Sequence, residues 1–96
     1  MQELQVNKES CFSVLIAVYT KEQPLFFREA LRSVFEQSLT PNEVVLVKDG
    51  PLTEELNQVI ADFSNERKQL RVIALEENRG LGEALRVGLD ACSFDL

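Results

Sequence analysis

The chain has 96 residues, of which 45% are apolar and 27% are charged, and its formal net charge is -6. This balance is typical of a soluble globular protein, and the length fits one small domain or a piece of a larger one. The acidic balance, without a basic stripe, excludes nucleic acid as the expected partner. A polar N-terminus and the lack of an apolar run of about 20 residues exclude a signal peptide and a membrane segment, and they predict a cytoplasmic protein.

Cysteine and histidine usage narrows the chemistry further. The chain has two cysteines, Cys11 and Cys92, at opposite ends, and no histidine. A zinc site and a Cys-His catalytic pair are therefore not expected. Two small buried thiols in a reducing compartment are a simpler interpretation than a disulfide or a nucleophile.

The first strand and helix follow a polar tail. We predict that residues 1–10 form this tail and that residues 11–96 form one α/β unit. Residues 12–19 read FSVLIAVY, an apolar run typical of a strand buried on both faces of a parallel sheet. Pro24 suits the first turn of a helix, and apolar residues then recur at helical spacing to about residue 38.

The same pattern then occurs twice more. Residues 43–48 (EVVLVK) predict a second strand, and Thr53 can cap a helix that ends near Arg67. Residues 70–75 (LRVIAL) predict a third strand, and a third helix runs from about residue 81 to residue 92. The βαβαβα order predicts a three-layer α/β/α fold, because parallel strands need helical crossovers.

The predicted sheet is small for an independent domain. Three parallel strands would leave an exposed edge, and residues 93–96 read as a turn into a further strand. We therefore expect either that residues 11–96 are an incomplete domain or that the chain associates with itself through that edge.

Three loops should meet where a ligand binds. In open parallel sheets ligands bind beyond the carboxyl ends of the strands, which here are followed by residues 19–23, 49–52 and 76–80. The first of these loops has no glycine, whereas loops that grip a pyrophosphate need glycine so that backbone amides can approach it. A Rossmann dehydrogenase and a P-loop enzyme are therefore disfavoured.

Each candidate side chain in these loops has two interpretations. Asp49 could accept hydrogen bonds from a ribose hydroxyl or a base, or it could only form a turn with Gly50, and position alone favours neither. Tyr19 could stack on a base or belong to the core. Arg79 could reach a phosphate, although a solvated turn is simpler, and Lys21 and Lys48 read as surface charges.

Four motifs, in order, resemble the N-terminal half of a family 2 glycosyltransferase with the GT-A fold. They are Tyr19-Thr20 at the end of the first strand, SVFEQ at residues 33–37, VKDG at residues 47–50 and NRG at residues 78–80. The resemblance extends from about residue 11 to residue 95. Thr20 and Lys48 depart from the Asn and Asp that are usual in the family.

The resemblance implies a set of nucleotide-binding residues: Ala17, Val18, Tyr19, Asp49, Arg79 and Gly80. The residues of the first strand would line the base pocket, Asp49 would bind the base or ribose, and the 79–80 turn would lie near the nucleotide. The implied activity is transfer of a sugar from a UDP- or GDP-linked donor to an acceptor hydroxyl, in a cytoplasmic protein or at the inner face of a membrane.

The resemblance also implies what this chain lacks. The family needs Mg or Mn, but its Asp-x-Asp metal motif and its catalytic base come later in the chain. We therefore expect no catalytic or metal-binding residue within these 96 residues, and no transfer by them alone.

Two alternatives stay open at this point. A receiver-like signalling module would use Asp49 as a phosphoacceptor, although such modules place acidic residues after the first strand, where this chain has Val18-Tyr19-Thr20. A stand-alone scaffold would instead bind a partner through its exposed sheet edge.

Overall fold

The computed structural model describes residues 2–8 and 11–93. Among these residues no helix is both long and apolar enough to cross a membrane. The elements in chain order are β1 (Gln2–Lys8), β2 (Cys11–Val18), α1 (Pro24–Glu36), β3 (Glu43–Lys48), α2 (Glu54–Glu66), β4 (Leu70–Ala74) and α3 (Leu81–Ala91).

The strands form one sheet in the order β1-β2-β3-β4. Strands β2, β3 and β4 are parallel, and their register places Ala17 beside Val47 and Val47 beside Ile73. The predicted βαβαβα order is confirmed from β2 onward. Because the strands run the same way, the loops that follow them all leave from one edge of the sheet, which we call the carboxyl edge.

Strand β1 departs from the expectation for the N-terminus. The polar composition of residues 1–10 predicts a tail, whereas Gln2–Lys8 pair antiparallel with β2, from Gln2 opposite Ala17 to Lys8 opposite Cys11. Edge pairing uses backbone amides and carbonyls, which every residue except proline supplies in full, so an apolar pattern does not reveal it. Within the described ranges β4 pairs with no second strand, and self-association through an edge stays a prediction.

Helices cover both faces of the sheet, as the three-layer prediction requires. Successive side chains of a strand point to opposite faces. Beneath α1 and α2 the core contains Val14, Ile16, Val44 and Leu46. Beneath α3 it contains Leu15, Ala17, Val45 and Val47, which pack with Ala84 of the helix itself.

The helix starts are fixed by local chemistry. Pro24 begins α1 as predicted, and the hydroxyl of Thr53 accepts a hydrogen bond from the Leu56 amide at 3.2 Å at the start of α2. Helix α3 approaches the sheet closely because Gly88 has no side chain, since a Cβ there would clash with Leu15 and lie 2.9 Å from Cγ2 of Val47. This close packing brings the first turn of α3 to the carboxyl edge.

Candidate functional site

A cavity of about 330 Å³ opens at the carboxyl edge of the sheet. Its volume lies at the lower end of the range of about 300 to 1,000 Å³ for small-molecule sites. Its lining residues come from the ends of β2 and β3 and from the turn before α3: Ala17, Val18, Tyr19, Asp49, Asn78, Gly80 and Leu81. The structure therefore brings together five of the predicted residues, and Arg79 is the predicted residue that does not line the cavity.

Backbone hydrogen bonds hold the strand ends at the cavity in register. The Asp49 amide donates to the Val18 carbonyl at 2.8 Å, and the Leu75 amide donates to the Lys48 carbonyl at 2.9 Å. The ends of β2, β3 and β4 thus form a continuous, rigid rim. A side chain that follows a strand here has a fixed starting direction.

The carboxylate of Asp49 is the buried polar group of this site. Its residue is 5% exposed, and its Oδ1 accepts a hydrogen bond from the Arg79 amide at 2.7 Å. That amide belongs to the next loop, so Asp49 does not close a local turn on its own downstream amide. Within the described part of the chain its other oxygen, Oδ2, accepts no hydrogen bond. An ionised carboxylate can accept about four, so Asp49 has capacity for a ligand.

The turn at residues 78–80 forms the facing wall. Oδ1 of Asn78 accepts a hydrogen bond from the Gly80 amide at 3.2 Å, and its Nδ2 donates to the Asp49 carbonyl at 3.4 Å. Gly50 has a φ of 89°, and a Cβ there would lie 2.7 Å from the Asn78 nitrogen. The two loops are therefore in direct backbone contact.

Apolar side chains surround the carboxylate. Tyr19 is 40% exposed and Leu81 is 46% exposed, so the alternative that Tyr19 belongs to the core is wrong. Ala17 and Val18 add a buried apolar floor. A cavity with one aromatic side chain, several aliphatic ones and a buried carboxylate suits a planar ring that carries N–H groups.

Sequence reasoning missed two of the lining residues, Asn78 and Leu81. Asparagine often forms a turn by accepting a hydrogen bond from the amide two residues later, and its place two residues before Gly80 is a signal that could have identified Asn78. Leu81 is the first residue of α3 and resembles an ordinary helix residue, so the sequence carried no signal for it.

Arg79 contributes its backbone rather than its charge to this wall. Its side chain is exposed and does not line the cavity, and neither do Lys21 and Lys48. The pKa of Glu83, in the first turn of α3, is lowered mainly by its hydrogen bond from Arg86 and to a smaller extent by the charge of Arg79.

A second buried carboxylate, Glu43, lies at the opposite edge of the sheet. It accepts hydrogen bonds from Ser13 Oγ at 2.9 Å, Arg71 NH1 at 2.7 Å, Ser93 N at 2.8 Å and Ser93 Oγ at 2.9 Å. Burial alone would raise the pKa of Glu43, but these hydrogen bonds outweigh it and hold the pKa below its ordinary value. Arg71 also donates to the Ala91 carbonyl at 2.8 Å, so this cluster fastens the end of α3.

Cys92 is a free thiol beside this cluster. Burial raises its pKa, and the charge of Glu43 raises it further, against smaller opposing effects of Ser13 and Arg71. A thiol with a raised pKa is a poor nucleophile, which fits the inert role predicted from the sequence. The side chain of Cys11 lies outside the described residues.

The resemblance implies a metal ion, and the described residues offer no set of ligands for it. Among residues 2–8 and 11–93 no group of three or more His, Cys, Asp or Glu side chains could hold a metal ion. The acidic side chain at the cavity is the single residue Asp49.

Comparisons with known proteins agree on one family. Residues 13–96 match the family described as Glycosyl transferase family 2. The UDP-Gal:alpha-D-GlcNAc-diphosphoundecaprenol beta-1,3-galactosyltransferase of Escherichia coli is 46% identical over 87 residues, which cover 88% of this chain and 30% of that protein. The amylovoran biosynthesis glycosyltransferase AmsE of Erwinia amylovora is 42% identical over 85 residues, which cover 88% of this chain and 32% of that protein.

A solved structure gives the fold. A mannosyltransferase of Pyrobaculum calidifontis, in complex with GDP-Man and Mn2+, matches with a TM-score of 0.66 and 23% identity, over 82% of this chain and 24% of that chain. The predicted Rossmann-like half of the GT-A fold is thereby confirmed. The chain spans about a third of the length of its curated relatives, at 30% and 32%. Because the family match covers nearly all of it, from residue 13 to residue 96, the chain belongs to glycosyl transferase family 2.

Proposed function

We propose that this chain binds the nucleotide part of a nucleotide-diphosphate sugar, for transfer of the sugar to an acceptor hydroxyl by the protein. The observation that carries the proposal is the carboxylate of Asp49, which is 5% exposed and lines a cavity with otherwise largely apolar walls. Family membership favours this reading over a receiver-like module or a stand-alone scaffold.

The chemistry of the cavity predicts which bases it accepts. A carboxylate only accepts hydrogen bonds, so Asp49 suits uracil and guanine, whose ring N–H groups donate from the pairing edge. Cytosine presents a lone pair at the equivalent ring nitrogen, which would face Asp49 acceptor to acceptor, so that the exocyclic amine is the one donor left on that edge. Tyr19 offers an aromatic face to the ring and Leu81 an aliphatic contact, and Arg79-Gly80 contributes backbone to the adjacent wall.

Catalysis itself is assigned to other parts of the protein. Glycosyl transfer needs a base for the acceptor hydroxyl, and a bound Mg or Mn would stabilise the charge of the leaving diphosphate. We assign both the base and the metal ligands to parts of the protein outside these 96 residues, and relatives about three times as long support that division. The 96 residues alone should bind nucleotide without transferring sugar.

The acceptor and the location follow from a relative rather than from the cavity. The name of the Escherichia coli relative includes a diphosphoundecaprenol-linked acceptor. This supports a lipid-linked acceptor for the present protein, and with it a cytoplasmic position at the inner face of a membrane.

Calorimetric titration with UMP, GMP and CMP tests the proposal. We expect UMP or GMP to bind, and CMP to bind about tenfold more weakly, because a hydrogen bond to a charged group contributes about 1.5 to 3 kcal/mol. Asp49→Asn keeps the size of the side chain and its acceptor for Arg79, yet it should lower the affinity by about tenfold or more. Glu76→Gln is the matched control, since it removes one charge from an exposed residue of the neighbouring loop. Unchanged affinity in Asp49→Asn would refute the assignment.

A further inference from the structure

We infer that Asn78 is a positioning residue that holds the Asp49 carboxylate in its binding orientation, an inference that rests on the proposed nucleotide binding. Asn78 lines the same cavity and could also touch a ligand directly. The contacts of its side chain favour the indirect role.

The two loops that carry Asp49 and Asn78 meet without intervening side chains. Gly50, directly after Asp49, is buried at a φ of 89°, and a Cβ there would lie 2.7 Å from N and 3.1 Å from Cα of Asn78. At such a distance a small movement of one loop displaces the other. The sheet fixes the backbone of Asp49, and the turn at residues 78–80 packs directly against the loop that follows it.

The side-chain amide of Asn78 is engaged at both ends. Its Oδ1 accepts from the Gly80 amide at 3.2 Å, which stabilises the turn, and its Nδ2 donates to the Asp49 carbonyl at 3.4 Å, which joins the turn to the other loop. An asparagine occupied by these two contacts has less capacity left for a ligand. Both of these hydrogen bonds go to residues that line the cavity, Gly80 and Asp49.

The link from Asn78 to the carboxylate passes through one amide. The turn that Asn78 stabilises presents the Arg79 amide to Oδ1 of Asp49 at 2.7 Å. Within the described residues this is the one hydrogen bond that the Asp49 side chain makes. If the turn loosens, the carboxylate loses the donor that fixes its direction. Its Oδ2 would then no longer be held toward the cavity, and selectivity for bases with a ring N–H would fall.

A double-mutant cycle separates the indirect role from direct contact. We expect Asn78→Ala to weaken UMP or GMP binding by about three- to tenfold, as for the loss of a neutral hydrogen bond, and to reduce discrimination against CMP. In an Asp49→Asn background the same change should cost less than about twofold, because coupled residues are not additive. Equal losses in both backgrounds would show direct ligand contact and overturn the inference.

Amide hydrogen exchange gives a readout that needs no ligand. Exchange at Arg79 should be about tenfold faster in Asn78→Ala, and Asn78→Ser, which keeps a turn-forming acceptor, should restore part of the protection. Asn57→Ala is the matched control, because Nδ2 of Asn57 donates to the Leu52 carbonyl at 3.4 Å within α2 and its preceding loop. Unchanged exchange at Arg79 in both Asn78 variants would overturn the inference. If the unmutated chain binds neither UMP nor GMP, the proposed function fails, while the exchange result still decides the role of Asn78.

Discussion

The two ends of β3 carry two carboxylates with the same exposure and different surroundings. Glu43 at its start and Asp49 just past its end are each 5% exposed. Glu43 accepts four hydrogen bonds from protein groups, whereas the carboxylate of Asp49 accepts one and lines a cavity. Burial therefore does not distinguish Asp49, the carboxylate that we propose binds a ligand, from the structural carboxylate Glu43. The number of acceptor sites that the protein leaves open is the better indicator.

We expect the largest loss of stability at Glu43, the carboxylate that accepts four hydrogen bonds from the protein. Glu43→Ala leaves Ser13, Arg71 and Ser93 without their acceptor and releases the end of α3, so the free energy of unfolding should fall by about 2 to 4 kcal/mol. Urea unfolding followed by circular dichroism measures it. The control is Asp62→Ala, which removes a half-exposed partner of Arg28 at 2.9 Å.

The control should cost much less, since exposed ion pairs contribute little. Similar losses in the two variants would contradict the view that Glu43 is a structural hub. A loss of UMP or GMP affinity in folded Glu43→Ala would also break the contrast between the two ends of β3.

An intermediate loss is expected at Gly50, where the loops of the cavity touch. Gly50→Ala places a Cβ 2.7 Å from the Asn78 nitrogen at a φ of 89°, so both the backbone strain and the contact are unfavourable. We expect about 1 to 3 kcal/mol of destabilisation and loss of nucleotide binding. Thermal unfolding and calorimetry measure these effects.

Gly82→Ala is the matched change for that experiment. Its Cβ would meet nothing within 4 Å, and alanine in a helix is favoured over glycine by about 0.5 to 1 kcal/mol. Stability should therefore stay the same or rise slightly. A Gly50→Ala protein as stable as Gly82→Ala would show that the loops do not constrain each other.

The smallest effect is a pH dependence from Glu43. Its pKa is lowered on folding from an ordinary 4.5, so its stabilising contribution is present above 4.5 and is lost as the pH falls through the lower folded pKa. Urea unfolding at a series of acid pH values should give a shallower decline for Glu43→Gln than for the unmutated chain. Identical slopes would mean that other carboxylates account for the acid sensitivity.

Much of the fold and part of the site could be predicted from local patterns. The apolar runs identified β2, β3 and β4, and the rule that parallel strands end at one edge grouped Tyr19, Asp49 and Gly80 before any contact was known. The bond from Arg79 to Asp49 could not be predicted, because it joins residues 30 positions apart through a backbone amide.

The same limit applies to the other features that the sequence did not reveal. Strand β1 pairs through its backbone, and Glu43 draws its partners from β2, β4 and the residues after α3, so neither leaves a local signature. A carboxylate at the start of a strand and one at its end look alike in a sequence. Their hydrogen-bond partners distinguish them only once the chain is folded.

The register of β1 has a practical consequence for how the protein is handled. Gln2 lies opposite Ala17, which lines the cavity. A purification tag joined ahead of Gln2 would therefore start beside the carboxyl edge, where it could block the opening of the cavity or supply charges of its own. Nucleotide titrations should use protein from which an N-terminal tag has been cleaved.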